Sequence, residues 1–379
     1  VTSDEKAVDG FGTTCWGAET LTIAERHYKI IMAGVDQFGG NNDAGPVLEA
    51  YQMGVKEHGE EFMRSRMEQS AVRLLKNIFR VGLFENPYLN VEDTKKVVGN
   101  EEFMKAGYDA QLKSIVMLKN KNKVMPVANQ KTVFIPKRIT ASGRDFFGDP
   151  TPEMISYPIN LDVARKYFKL TDNPAEADFA LVVIRSPNSG SGYDPDDVKK
   201  GGNGYVPISL WYGPYTAMYA RDSSIAGGDP LEKFINRTYK GKTVTASNTS
   251  DLKMVLDTKK AMKGKPVIVS ITMSKPMVFS EFEKDADAIL VNFDVQDQAI
   301  LDMLTGAAEP SGLLPMQMPV DMKTVETQKE DVPFDMTCHI DSEGNSYDFG
   351  FGLNWSGVIK DARVEAYASS QTHQLPVKD

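Results

Sequence analysis

Apolar positions change rhythm along this chain. Up to residue 85 they recur at helical spacing; from residue 106 onward they gather into short continuous runs. Residues 17–33 predict a helix whose stripe is Ile23, Tyr28, Ile31 and Met32. Residues 33–46, with four Gly, two Asn and two Asp, read as a compact loop. Pro46 suits the first turn of a following helix, with interruptions at Gly54 and Gly59. From 60 to 82, Phe62, Met67, Ala71, Leu74, Leu75 and Ile78 face one way, and Glu60, Arg64, Glu68 and Lys76 lie mostly off that stripe. That is an amphipathic surface helix, stopped by Gly82 and Pro87. Residues 86–100 are polar and lack a period, which predicts an interdomain linker.

The second rhythm predicts strands. SIVMLKN (114–120), TVFIP (132–136), ADFALVVIR (177–185), TVTAS (243–247), KPVIVSI (265–271) and ADAILVNF (286–293) are short and rich in β-branched residues. FALVVI and PVIVSI show no polar alternation, as expected for strands buried on both faces of a parallel sheet. Helical patterns at 251–263 and 295–306 fall between them. The alternation predicts a doubly wound α/β domain over 106–358, with a polar tail at 359–379.

One segment breaks the rhythm. Residues 186–242 are long, glycine-rich and aromatic, with Tyr193, Tyr205, Trp211, Tyr212, Tyr215 and Tyr219. Structureless stretches of this length inside a compact domain are functional or disordered, and aromatic content argues against disorder. Aromatic faces beside Asn and Asp suit a sugar, whose C–H faces are ringed by hydroxyls. The segment could equally pack on its own domain.

Composition removes several classes. The 379 residues are 41% hydrophobic and 25% charged, ordinary for a globular enzyme, and carry a net charge of −9, which offers no basic footprint for nucleic acid. No run reaches the roughly 18 apolar residues of a membrane-spanning helix. Cys15 and Cys338 make no disulfide framework, and His27, His58, His339 and His373 show no metal-ligand spacing. No phosphate-cradling glycine motif occurs, so neither a metal nor a nucleotide cofactor is expected. The opening VTSDEKAVDGFG looks like the carboxyl end of a strand that exposes Asp4.

Five segments in order carry a resemblance: AGVDQFGG (33–40), SAVRLLKNIFRVGLFENPY (70–88), KSIVMLKNKNKVMPV (113–127), EPSGLLPMQMP (309–319) and YDFGFGLNW (347–355). Together the chain resembles glycoside hydrolase family 3, the β-glucosidase group. The resemblance implies a C-terminal remnant of a (β/α)8 barrel at 1–85, a linker at 86–105 and an (α/β)6 sandwich with a mostly parallel sheet at 106–358. It implies a retaining, exo-acting hydrolase that releases terminal β-linked glucose from glucosides or oligosaccharides without a cofactor. A β-xylosidase-type relative and a non-catalytic carbohydrate-binding or structural module are the alternatives. Export to the periplasm or cell exterior, and a homodimer as one assembly open to the chain, follow from the same likeness.

A retaining glycosidase holds two carboxyl groups about 5–5.5 Å apart, one attacking the anomeric carbon and one protonating the leaving oxygen. VTSDE places Asp4 on the family's nucleophile, although Glu5 stands where the family usually has Trp. The family's acid is a Glu on a loop after a strand of the second domain. The loop after ADFALVVIR holds none; Asp194 lies near the expected place, with Asp196 and Asp197 after it, and Glu232 follows later in the same segment. Glu232, ahead of Asp194, is the candidate acid. Trp16, Trp211 and Tyr193 are candidate sugar-stacking residues.

Overall fold

A computed structural model describes residues 21–39, 43–144, 149–222, 238–328 and 334–370. The expected strand end at Asp4, together with Trp16 and Glu232, lies outside these residues.

The chain first builds helices: α1 (Ile23–Met32), α2 (Gly45–His58) and α3 (Glu60–Arg80). Thr22 opens α1 with a capping box, its hydroxyl accepting from the Glu25 amide while the Glu25 carboxylate accepts from Thr22 N–H. Gly59, at φ 90°, separates α2 from α3 where a single helix would otherwise run on. Ile31, Ala50 and Met63 form a small core between the three. Among the described residues no strand precedes Val116, so 21–85 contributes helices alone.

Residues 86–100 hold one feature that periodicity did not show. Asn90 accepts from the Glu92 and Asp93 amides and starts α4 (Val91–Val97), which buries none of its residues. A cap, not an apolar face, makes this helix. Helix α5 (Glu101–Ser114) follows. It is tied to the domain through Tyr108, whose hydroxyl donates to Asp302 Oδ2 at 2.5 Å.

The domain proper is one eight-stranded sheet: β1 (Val116–Asn120), β2 (Thr132–Phe134), β3 (Lys169–Thr171), β4 (Phe179–Arg185), β5 (Val267–Thr272), β6 (Ala288–Asn292), β7 (Leu353–Asn354) and β8 (Gly357–Val358). Their order is β8-β7-β1-β6-β5-β4-β2-β3. The block from β3 to β6 is parallel; β1, β7 and β8 join it antiparallel. Successive residues of each central strand bury into opposite cores. Val182, Ile184, Val269 and Ile289 enter one, and Leu181, Val183, Ile268 and Leu290 the other. Helix α8 (Thr249–Met262) covers the first face, and α6 (Leu161–Ala164) with α9 (Asp297–Thr305) the second. Two buried faces explain why these strands read as unbroken apolar runs.

One strand expectation changes. TVTAS does not enter the large sheet; Thr243–Val244 pairs antiparallel with Tyr215–Thr216 in a separate ribbon. Its alternating Thr and apolar residues suit a strand with one wet face, not the doubly covered interior.

Candidate active site

The chain crosses from β2 to β3 on one side and then returns to place β4 on the other. Sheets of this kind bind ligands outside the carboxyl ends of the strands where the winding reverses, here between β2 and β4. A polar network occupies that place. Arg138, just past β2, grips Asp251 with Nε to Oδ1 at 2.8 Å and Nη2 to Oδ2 at 3.0 Å. Asp251 is fully buried in the first turn of α8, and its Oδ2 also accepts from the Arg185 amide and from Asn248 Nδ2. Asn248 Nδ2 donates to the Arg185 and Ser186 carbonyls while its Oδ1 accepts from Asn188 N–H. Tyr212 adds its hydroxyl to the Arg185 carbonyl at 2.5 Å. The exit of β4 is thereby pinned from three sides. That fixes the departure of the long segment that begins at Ser186.

The segment is not disordered where it is described. Tyr193 bridges Tyr205 across a turn, their rings edge to face at 5.9 Å. Gly204 makes room for this at φ +82°; a Cβ there would sit 2.2 Å from the Tyr193 ring. Asp194 caps the short helix α7 (Pro195–Lys199), its carboxylate accepting from Asp196 N–H at 2.9 Å. Asp197 accepts from Lys242 Nζ at 2.7 Å and from Gly204 N–H at 2.8 Å. The Lys242 bond first, then the Gly204 amide, hold it below the ordinary carboxyl range, so it stays ionised and is unsuited to give a proton.

Trp211 lies elsewhere in the segment, half-buried against Leu210, Val278 and Met322. Beside it is a residue that the sequence did not single out. Glu281 accepts from Tyr212 N–H at 2.7 Å and from Gly213 N–H at 3.1 Å, one bond on each oxygen. A Cβ built at Gly213 would meet Trp211 Nε1 at 2.7 Å and Glu281 Oε1 at 3.6 Å, so the indole and the carboxylate flank the same small space. Burial pushes Glu281 above the ordinary carboxyl range, against the pull of the two amides. The other shifted carboxyls among the described residues, Glu25, Asp36, Asp197, Glu283 and Asp361, are all lowered. Sequence alone carried only one hint of Glu281: it follows KPVIVSI, past the carboxyl end of a buried strand. Lys275 on the same loop is also half-buried, and burial pushes its ammonium down.

The structure thus brings Tyr193 and Asp194 into one loop and sets Trp211 against Glu281. Among the described residues no cluster of His, Cys, Asp and Glu could hold a metal ion. A cavity of about 340 Å³ runs along α8, lined by Phe134, Ile139, Lys253 and Met254 among others, and no residue of 186–247 lines it.

Residues 224–355 match the model of the glycosyl hydrolase family 3 C-terminal domain. β-Glucosidase C of Emericella nidulans is 28% identical over 340 residues, 90% of this chain and 43% of that protein. The periplasmic β-glucosidase/β-xylosidase of Dickeya chrysanthemi is 26% identical over 338 residues, 89% of this chain and 40% of that one. The chain therefore spans less than half the length of these relatives. Among solved structures, a β-glucosidase of Erythrobacter marinus superposes with a TM-score of 0.51 at 16% identity, over 88% of this chain and 45% of that one. β-Glucosidase 3B of Thermotoga neapolitana gives 0.50 at 18%, over 87% of this chain and 48% of that one. These likenesses establish the fold.

Proposed function

We propose that this chain serves a retaining, exo-acting glycoside hydrolase that removes terminal β-linked glucose from glucosides or short oligosaccharides. The supporting observation is the family 3 C-terminal domain over 224–355, joined to relatives named β-glucosidase. The chemistry needs no cofactor. Asp4 attacks the anomeric carbon; a second carboxyl protonates the departing oxygen and then draws a proton from the water that releases the sugar. Among the acid candidates, Glu232 lies outside the described residues and Asp194 is engaged as a helix cap. The site of action is the periplasm or the cell exterior, in keeping with the periplasmic Dickeya relative. No helix among the described residues is long and apolar enough to cross a membrane.

β-Xylosidase activity is the second reading, favoured by the double name of the Dickeya relative. The test is turnover of 4-nitrophenyl β-glucoside and β-xyloside by the full chain, with Asp4→Asn beside it. Glucoside turnover with retained anomeric configuration, lost in Asp4→Asn while glucose binding survives, is expected. Undiminished turnover in Asp4→Asn removes Asp4 from the reaction. Sugar binding without any hydrolysis makes the chain a carbohydrate-binding module.

A further inference from the structure

We propose that the cavity along α8 is a binding site for a small hydroxylated aromatic acid, a ring with a carboxylate at one end and a hydroxyl at the other. No residue of 186–247 lines it, so binding there does not depend on the glycosidase reading. The cavity begins in spacing. Ser250, Met254, Thr258 and Ala261 recur every three or four residues and share one face of α8. The helix packs on β4 and β5, which leaves Phe134 at the end of β2 only half-buried. Phe134, Pro136 and Ile139 make the facing wall. Two ties hold the walls in place: Arg138 grips Asp251, and Ser250 Oγ donates to the Ile139 carbonyl at 3.3 Å. The space is therefore formed before any ligand arrives. Its volume of about 340 Å³ and its place beside the reversal of the winding both suit a small molecule.

The polar groups choose the ligand. Thr258 is only 4% exposed and lines the cavity, yet its hydroxyl makes no hydrogen bond among the described residues. A buried hydroxyl in that state gains from a partner that the ligand brings. Two lysines also line the cavity. Lys253 is paired with Asp257, so those charges cancel. Lys137 has no carboxylate partner among the described residues; its Nζ stands 5.2 Å from the centre of the Tyr157 ring. The cavity is left with one uncompensated positive charge, which an anion matches.

The two polar ends are set apart by the helix. Ser250 holds Ile139, and with it the 137–139 stretch, at the first turn of α8. Thr258 comes eight residues later, roughly 12 Å along the axis at the usual rise. Between them the lining is Phe134, Met254 and Ala261, an apolar stretch on which an aromatic ring packs, with the Met254 thioether a favourable neighbour for its edge. The carboxylate meets Lys137 at one end and the ring hydroxyl meets Thr258 at the other.

The experiment titrates the full chain with 4-hydroxycinnamate by calorimetry, beside its neutral methyl ester and cinnamate, which lacks the ring hydroxyl. One 4-hydroxycinnamate per chain is expected, with the ester roughly three- to tenfold weaker. Lys137→Gln should weaken 4-hydroxycinnamate by the same factor and leave the ester unchanged. Thr258→Val should cost 4-hydroxycinnamate roughly two- to tenfold and cinnamate nothing. Ala261→Phe fills the cavity and should abolish binding at an unchanged urea midpoint. If that variant folds poorly, Lys137→Gln, at an exposed position, decides the matter. Absence of saturable binding by the unaltered chain overturns the proposal. Equal affinity for acid and ester overturns it too, as does undiminished binding in a folded Ala261→Phe. A gain in mass with concentration that Ala261→Phe removes, without ligand binding, makes the groove a contact between copies instead.

Discussion

Lys119 takes a charge to a place without water. Its Nζ donates to Glu283 Oε1 at 2.5 Å, to the Glu283 carbonyl at 2.9 Å and to Ser342 Oγ at 2.9 Å, and both charged side chains are essentially fully buried. A pair of this kind contributes little net stability relative to an apolar pair but leaves a buried, unmatched charge if one member is removed. Burial raises the Glu283 carboxyl, but the Lys119 and Ser342 bonds outweigh it and hold the group below its ordinary value of 4.5. His339 stands 3.9 Å from Glu283 with its Nε2 unbonded. Burial, aided by Lys119 and Lys284, lowers it below 6.5 despite the opposing fields of Glu283 and Asp341. Each depressed group binds fewer protons folded than unfolded. Stability is therefore complete above the unfolded value and is lost as pH falls, first below 6.5 through His339 and then below 4.5 through Glu283. His339→Gln should flatten the fall in urea midpoint between about pH 7 and pH 5 and leave the lower limb in place. An unchanged slope in that variant would remove His339 as the cause.

At the scale of elements, two of the segments that carried the family resemblance have a steric meaning. A Cβ at Gly312, in EPSGLLP, would lie 2.4 Å from the Ile115 carbonyl oxygen. One at Gly352, in YDFGFGLNW, would lie 2.2 Å from the Gly312 carbonyl oxygen. Three backbone stretches are thus stacked where nothing larger than hydrogen fits, and this brings the closing hairpin onto β1. Gly312→Ala should cost about 1–3 kcal/mol by urea unfolding, since the obstacle is main chain that cannot swing aside. A change too small to measure would mean that this stacking is loose. The same scale shows what was legible. β4, β5 and β6 were readable because burial on both faces writes one unbroken apolar run. Helix α4 was not, because a single Asn cap makes it. The β7–β8 hairpin was not, because two-residue strands carry no period. The raised carboxyl of Glu281 was not legible for another reason: its surroundings come from Trp211, Tyr212 and Gly213, far off in sequence, and no local pattern records a neighbour of that kind. Asp194, a candidate acid because of its place after β4, also caps α7.

The molecule as a whole has two unlike surfaces. Around the sandwich, apolar side chains are mostly covered. From α3 to α5 they are not: Phe79 is 58% exposed, Phe84 61%, Tyr88 81%, Leu89 85% and Val98 73%. Phe79 and Phe84 touch each other at 4.7 Å between centroids and otherwise face outward. Exposed apolar side chains in this number mark contact with another body or a liability to stick. The full chain should bind a hydrophobic dye and gain mass with concentration. Phe79→Glu with Phe84→Glu should reduce both, at a cost in unfolding free energy of about 1 kcal/mol or less. Dye binding that persists undiminished in the double variant would place the sticky surface elsewhere.

The position of β1 has a consequence in time. It is the first strand of this sheet to be made, yet its neighbours in the sheet are β6 and β7, which both come late. Contacts between such distant stretches form slowly. Until Leu353 has been synthesised, β1 has one side unpaired, and an unpaired strand invites any other strand nearby. The glycine-stacked hairpin is therefore a clasp that closes only once residues 353–358 are made, and a chain broken off before them carries an open strand edge.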